Sequence, residues 1–323
     1  MSGDEVISNM KNPHQVHIIS FRGFTLIELL ISMAIAGIVG GVIINTFINH
    51  QNSYRVQLQI AGLQQNLRAA MSLVSDDIRK SGHYTLLDGR VHRGYLDWNP
   101  EEGGYDGFDS SIYGVNNITG RERYSEHTDL IMIVKSGDDR GRLHFGEYAE
   151  AGSNVLHLAD LDLDNDGDED LNPGGRSFGI LVKSDLSTAH IFKINTTASG
   201  STAGSSLISV SENFPDTYSS DDIIARVDII TYRVDGGNTS FSTSVLERKN
   251  AGNGNTFQVV AEDITNIQFS YLLKDGRLTE DPSGEENMVV GVDIKLEGEV
   301  NITNVGIKKR SLENMVRVRN TVL

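Results

Sequence analysis

The chain has 323 residues, no cysteine and a formal charge of −16, which is length enough for one sizeable core plus an extension. The missing cysteines exclude disulfides and thiolate metal sites, and the acidity argues against general nucleic-acid binding, which depends on neutralising phosphates with Lys and Arg. Residues 1–23 hold two acidic and two basic side chains and residues 24–82 three acidic against four basic, so residues 83–323 carry −17, a surface that favours solubility and divalent cations.

In chain order, the first predicted element opens at Arg22-Gly23-Phe24-Thr25-Leu26-Ile27-Glu28-Leu29-Leu30 and stays apolar to about Phe47. Its roughly 24 residues exceed the ~20 a helix needs to cross a bilayer. A removable secretory signal would have a shorter apolar region ending in a small-residue cleavage site. Glu28 is the one charged side chain between Phe24 and Phe47. Such a group costs about 2.5–3.5 kcal/mol at the centre of a membrane helix, so it calls for a partner. A cut between Gly23 and Phe24 would supply one, because the new α-amine would lie a helical turn from a carboxylate of its own helix or a neighbour's. Only Lys11 and Arg22 precede the segment as basic residues and none follows until Arg55, which favours a cytoplasmic N-terminus. Met10-Lys11 makes a more natural start than Met1 and would leave a 14-residue basic leader before Phe24.

The helix is expected to continue past Asn52. Apolar residues recur at Val56, Ile60, Leu63, Leu67, Ala70, Met71, Val74 and Ile78, steps of three and four that lay one stripe along a helix, with Gln64, Gln65, Arg68 and Asp77 largely off it. Arg79 and Lys80 suit the negative helix end, and Gly82 can close it in the left-handed region. One helix from 24 to 81 would measure about 87 Å. Gly37, Gly40 and Gly41 interrupt its membrane half. They fit close helix packing, and equally a helix weak enough to unwind on assembly.

Residues 83–128 are rich in Gly, Asp, Asn and Tyr without a sustained period. Trp98, Tyr105, Phe108 and Tyr113 in this stretch fit either a contact surface or burial against the helix. Asp106 and Asp109 read better as loop residues than as paired catalytic carboxylates. From residue 129 the pattern is β. Leu130 to Val134 is a continuous apolar run expected of a strand buried on both faces. Ile267, Phe269, Tyr271 and Leu273 alternate with polar residues, as do Val292, Ile294 and Leu296, as half-buried strands do. The run Val227 to Val234 changes phase between Ile229 and Ile230, which predicts a bulge. An inserted subdomain is expected near 140–220.

The residues around Gly23, Phe24 and Glu28 resemble the class III signal of type IV pilins and of the pseudopilins of type II secretion. Gln51-Asn52-Ser53-Tyr54, Leu67-Arg68, Asp77-Ile78-Arg79-Lys80-Ser81-Gly82, Ala261 to Tyr271 and the ending Met315-Val316-Arg317-Val318-Arg319-Asn320 are similar to the PilW-like minor pilins. The resemblance covers little of residues 83–220, and the chain lacks the cysteines many relatives use to staple the head. It implies an α+β type IV pilin fold: a leader over 1–23, a long helix over 24–82 with 24–47 in the membrane, and an antiparallel β head over 83–323 that carries an acidic insertion near 160–173. It implies cleavage between Gly23 and Phe24 by a prepilin peptidase, N-methylation of Phe24, and Glu28 as the assembly residue. The implied partners are other minor pilins, the major pilin, the inner-membrane assembly platform and, before assembly, membrane lipid. The implied location is the bacterial inner membrane before assembly and the pilus surface afterwards.

The second motif is Asp162-Leu163-Asp164-Asn165-Asp166-Gly167-Asp168-Glu169-Asp170. It matches the first half of a calcium loop, in which alternate carboxylates converge on one ion and a glycine permits the sharp turn. Position 12, where a helix–loop–helix loop has Glu, is Pro173, so the loop resembles instead the isolated calcium loops of extracellular β proteins. The expected side-chain ligands are Asp162, Asp164, Asp166 and Asp170, with the carbonyl of Asp168, at an affinity on the order of 10⁻⁴–10⁻³ M. A solvated acidic loop is the plainer alternative. No Gly-x-Ser-x-Gly elbow, His-Glu-x-x-His motif or phosphate loop occurs, so the chain is read as structural, a minor pilin at or near the pilus tip, with a large J-like pseudopilin of type II secretion as the nearest rival and a calcium-dependent adhesin on a pilin stalk as the rival from another class.

Overall fold

The computed structural model describes residues 24–82, 91–92, 111–118, 128–163, 165–172, 178–185, 187–199, 206–236, 243–251, 256–303 and 305–318. Gly23, Trp98, Tyr105, Asp106, Phe108, Asp109 and Asp164 lie outside the described residues. The chain divides into two compact units, residues 1–56 and 57–323, and one helix, α1 (Leu26–Lys80), contributes to both.

In the first unit α1 buries no side chain. A helix that is apolar all round, with one charge in 24 residues, has no face to direct at a core. Apart from their chain neighbours and the adjacent turns of α1's own backbone, no atom of the described residues lies within 4 Å of where a side chain would begin at Gly37, Gly40 or Gly41.

In the second unit the rest of α1 turns amphipathic and buries Leu63, Leu67, Ala70, Met71, Val74 and Ile78. The helix ends as the sequence predicts: the backbone of Ser81 donates to Ile78, and Gly82 takes φ +75°, a value glycine adopts without steric cost.

Among the described residues fifteen strands follow in chain order: β1 (Val91–His92), β2 (Ile112–Ile118), β3 (Thr128–Arg142), β4 (Tyr148–Ala149), β5 (Val155–Leu158), β6 (Phe178–Val182), β7 (Ala189–Ser199) and β8 (Ser206–Val210). Then come β9 (Ile223–Asp235), β10 (Val245–Asn250), β11 (Phe257–Glu262), β12 (Ile264–Leu273), β13 (Leu278–Thr279), β14 (Val289–Ile302) and β15 (Gly306–Arg317). They form an 11-stranded sheet along β11-β10-β9-β6-β7-β8-β5-β4, with β3 and β2 branching from β9, and a 4-stranded sheet in the order β13-β12-β14-β15. All pairings are antiparallel except that of the two-residue β1 with β7. The class is therefore α+β.

The buried stripe of α1 packs against both sheets at once, meeting Ile131, Ile230, Tyr232, Phe269, Ile294 and Val316 in one core. Leu130, Met132 and Val134 of β3 turn the other way, into a second core with Ile180 and Ile191, so β3 is buried on both faces as its unbroken apolar run requires. The same explanation corrects the expected bulge in β9. Ile229 and Ile230 pair in regular register with Val134 and Ile133. The phase change arises because Ile229 serves the second core and Ile230 the first, and the actual irregularity lies in β3, between Ser136 and Arg140. A third core of Leu156, Phe192, Phe214, Tyr218 and their neighbours occupies the 140–220 region. β6 and β7 of that region pair within the large sheet, so it is an outgrowth of that sheet.

The two sheets are stitched by side chains. The hydroxyl of Thr128 accepts from Ile267 N–H at 3.2 Å, and the carboxylate of Asp129 accepts from Phe269 N–H at 2.7 Å. Together with the pairing of β13 at Tyr271 and Leu272, these bonds lie along the edge of β12 that faces away from β14. Tyr113, the one described aromatic residue of the group in the 83–128 region, is buried.

Candidate functional site

At the start of α1, Thr25 and Glu28 bond reciprocally. The N–H and the hydroxyl of Thr25 each donate to Glu28 Oε2 at 2.9 Å, and the N–H of Glu28 donates to Thr25 Oγ1 at 3.3 Å. This is a capping box, in which a Thr and a Glu three residues apart satisfy orphan donors of the helix start. The sequence reading sought the partner of Glu28 in a cleaved α-amine and missed that Thr25-Leu26-Ile27-Glu28 already has capping-box spacing. Glu28 thus has local donors before any cut. Phe24 is exposed beside it.

In the second unit the helix carries a charge the sequence reading placed off the buried stripe. Asp77 is 2% exposed. Its Oδ1 accepts from Lys135 Nζ of β3 at 2.7 Å, and its Oδ2 from the Tyr232 hydroxyl of β9 at 2.5 Å and Arg248 Nε of β10 at 3.0 Å. Burial by itself would raise the Asp77 carboxyl, but Lys135, Tyr232 and Arg248 outweigh it and hold it below the usual carboxylate range. Burial and the adjacent carboxylate push the Tyr232 hydroxyl far up, so it stays a donor. For Arg248, burial would lower the guanidinium, yet the Asp77 carboxylate raises it. One helix residue is therefore tied to three strands of the large sheet.

The acidic loop is a set of tight turns. Asp162 accepts from Asp166 N–H through Oδ1 at 3.2 Å and from Gly167 N–H through Oδ2 at 2.9 Å, and Asp166 accepts from Asp168 N–H at 2.9 Å. Asn165 and Gly167 take φ +60° and +98°, so the glycine makes the turn the motif requires. Asp170 is buried, and its Oδ2 holds Leu163 N–H at 2.7 Å. Among the described residues no group of three or more His, Asp or Glu side chains is placed to hold a metal ion, and Asp164 is not among them.

A family model for the prokaryotic N-terminal methylation motif matches residues 20–44. No curated protein matches the chain. Among solved structures, a phage phi92 endosialidase aligns at 8% identity over 59% of this chain and 33% of its own, with a TM-score of 0.19. So weak a likeness carries no argument about fold or activity. The methylation motif supports a type IV pilin or pseudopilin-like protein, processed by a prepilin peptidase and anchored in a membrane through the apolar part of α1.

Proposed function

We propose that the chain is a minor type IV pilin of the PilW-like kind, cleaved between Gly23 and Phe24, methylated at Phe24 and built into the pilus at or near its tip. The observation that carries this reading is the pairing, in one helix, of a motif-bearing apolar half that buries nothing with an amphipathic half committed to a head. An apolar helix with no partner among the described residues of its own chain needs lipid or the helices of other subunits. Its role is assembly, not catalysis. Before assembly it sits in the inner membrane with a cytoplasmic N-terminus, and its partners are the major pilin, other minor pilins and the assembly platform.

Glu28 sets register by exchanging its bonds to Thr25 for the Phe24 amine of an adjacent subunit. Glu28→Ala is then expected to leave the head folded and the precursor cleaved, while incorporation into sheared filaments falls at least about tenfold, the loss of one strong charge pair. Wild-type incorporation by the variant would refute the role. The same motif occurs in pseudopilins of type II secretion. Identification of the chains that co-purify with the membrane-extracted protein decides between a pilus and a secretion system.

The loop Asp162–Asp170 is proposed as a calcium loop, with the side chains of Asp162, Asp164, Asp166 and Asp170 and the carbonyl of Asp168 as ligands. Support comes from its spacing and from the turn at Asn165 and Gly167. Isothermal titration of the detergent-solubilised full chain is expected to show calcium heats that Asp164→Ala removes, and equal heats in both would remove the site.

A further inference from the structure

On one side of the 4-stranded sheet the two-residue β13 pairs with the end of β12, and Thr128 and Asp129 take the N–H groups of Ile267 and Phe269. On the far side, β15 pairs with β14 in unbroken register from Gly291↔Arg317 to Ile302↔Gly306, and beyond it no strand follows among the described residues. The N–H of Val318 donates to Val290 at 3.0 Å, which fixes the phase of the ladder. In an antiparallel pair, residues alternate between exchanging both bonds with the partner and turning them away. Even-numbered residues from Gly306 to Val316 therefore bond β14, whereas Ile307, Lys309, Ser311, Glu313, Met315 and Arg317 direct their N–H and C=O at the free edge.

One end of that edge is guarded. The guanidinium of Arg310 donates to the carbonyl of Lys309 at 2.8 Å, and the run Lys308-Lys309-Arg310 blunts the strand as charges on edges do. The stretch Ser311–Met315 carries one charge, Glu313, and among the described residues no bond is made to its outward N–H and C=O groups. Beside it, Leu312 and Asn314 of β15 and Met71 and Leu73 of α1 line a groove of about 710 Å³, flanked by Arg68 and Arg79. Asn314 is held there by Ser75 at 3.0 Å.

We infer that Ser311–Met315 is a strand-addition site for an extended, acidic segment of a different pilin-type subunit in the same assembly. In this mode main-chain bonds supply affinity, and alternate side chains of the added strand enter a pocket that supplies selectivity. The charge favours an acidic segment. β15 carries four basic residues and one acidic residue on a chain of −16, two arginines flank the groove, and Asp76 within it is turned to Lys80 at 3.0 Å. A second copy fits poorly edge to edge, because its own β15 carries the same excess of basic residues, and like charges opposite one another in paired strands are destabilising.

The inference rests on the assembly reading above, and one preparation separates the two. Photoreactive p-benzoylphenylalanine is placed at Ser72, on the exposed wall of the groove, in the full chain in its own cells. The expected product is an adduct whose cross-linked peptide maps to an extended segment of another chain bearing the N-terminal methylation motif. Glu313→Pro removes an N–H that β14 does not use, which an edge strand tolerates. It should cut the adduct about tenfold, while Glu313→Ala leaves it, since an added strand depends on each main-chain bond. Arg68→Glu with Arg79→Glu, on an exposed helix face, should also cut it and guards against misfolding by proline. Absence of an adduct, an adduct to any peptide of this chain's own sequence or of a chain without the motif, or full yield from both sets of variants overturns the site. Determination of the first residue in the same sample keeps the claims apart. A chain beginning at Phe24 without adduct sinks the strand-addition site alone, and an adduct on a chain retaining Gly23 upholds the site and sinks the assembly reading.

Discussion

In α1 the residues up to Val56 bury no side chain, whereas the turns after Gln57 bury eight, among them the charged Asp77. Backbone geometry is the same in both stretches, so the difference lies in what each offers a partner. The second stretch has a stripe about one residue in three wide, which two sheets cover, and its stability is tertiary. The first is apolar to about Phe47, turns polar only from Asn49 to Arg55, and joins no core among the described residues. Its hydrogen bonds are all internal, which suits a medium without water. One helix therefore serves two solvents, and the sequence marks the change by where apolar residues stop being continuous and become periodic.

The comparison breaks most readily at Asp77. Asp77→Ala leaves Lys135 and Arg248 facing a buried gap and is expected to cost about 3–5 kcal/mol of head stability, as loss of one partner from a buried ion pair does. Chemical denaturation of the full chain in detergent, followed by far-ultraviolet circular dichroism of the β head, measures it. A loss below 1 kcal/mol would reduce the cluster to a surface pair. The pH dependence has a definite sign. The folded Asp77 carboxyl is held below its ordinary value, so its contribution is fully present above an unfolded pKa of about 4 and is lost as pH falls through the lower folded value. The gap between wild type and Asp77→Asn should therefore narrow on acidification below about pH 4.

A somewhat smaller effect separates the halves directly. Leu67→Ala removes a side chain 2% exposed and should cost about 2–5 kcal/mol. Leu30→Ala, chemically the same change in the first stretch, should leave head unfolding within about 0.5 kcal/mol of wild type. Equal losses would mean that the two stretches share a core. The smallest effect is at the cap. Thr25→Val keeps the shape but loses the hydroxyl, and the first turn of α1 should weaken by about 1 kcal/mol. Hydrogen exchange of the amides of Ile27 to Leu29 in micelles is the readout, and unchanged protection would show that Glu28 does not depend on Thr25.

Local patterns were legible in the sequence, and distant pairings were not. The stripe from Leu63 to Ile78, the closing turn at Gly82, the two-faced burial of Leu130 to Val134 and the alternation in β12 and β14 all follow from periods of 3.6 and 2. Asp77 was misplaced because nothing within a few turns accounts for it: its partners lie 58, 155 and 171 residues away. Sequence spacing puts Asp77 at the rim of the stripe, and only the fold brings Lys135, Tyr232 and Arg248 there. The phase change in β9 was visible, but a bulge and a strand shared by two cores give the same pattern. The capping box at Thr25 and Glu28 was legible by its three-residue spacing. It went unread because an acid in an apolar helix directs attention to a remote partner.

The most direct test is the identity of the first residue in the chain recovered from cell membranes and from sheared filaments, read by intact mass and N-terminal sequencing. A chain beginning at N-methylated Phe24 in both fractions is the expected result. A chain that keeps Gly23, or one that begins beyond Phe47 and so lacks the apolar stretch, would contradict the reading of α1 as an anchor retained for assembly.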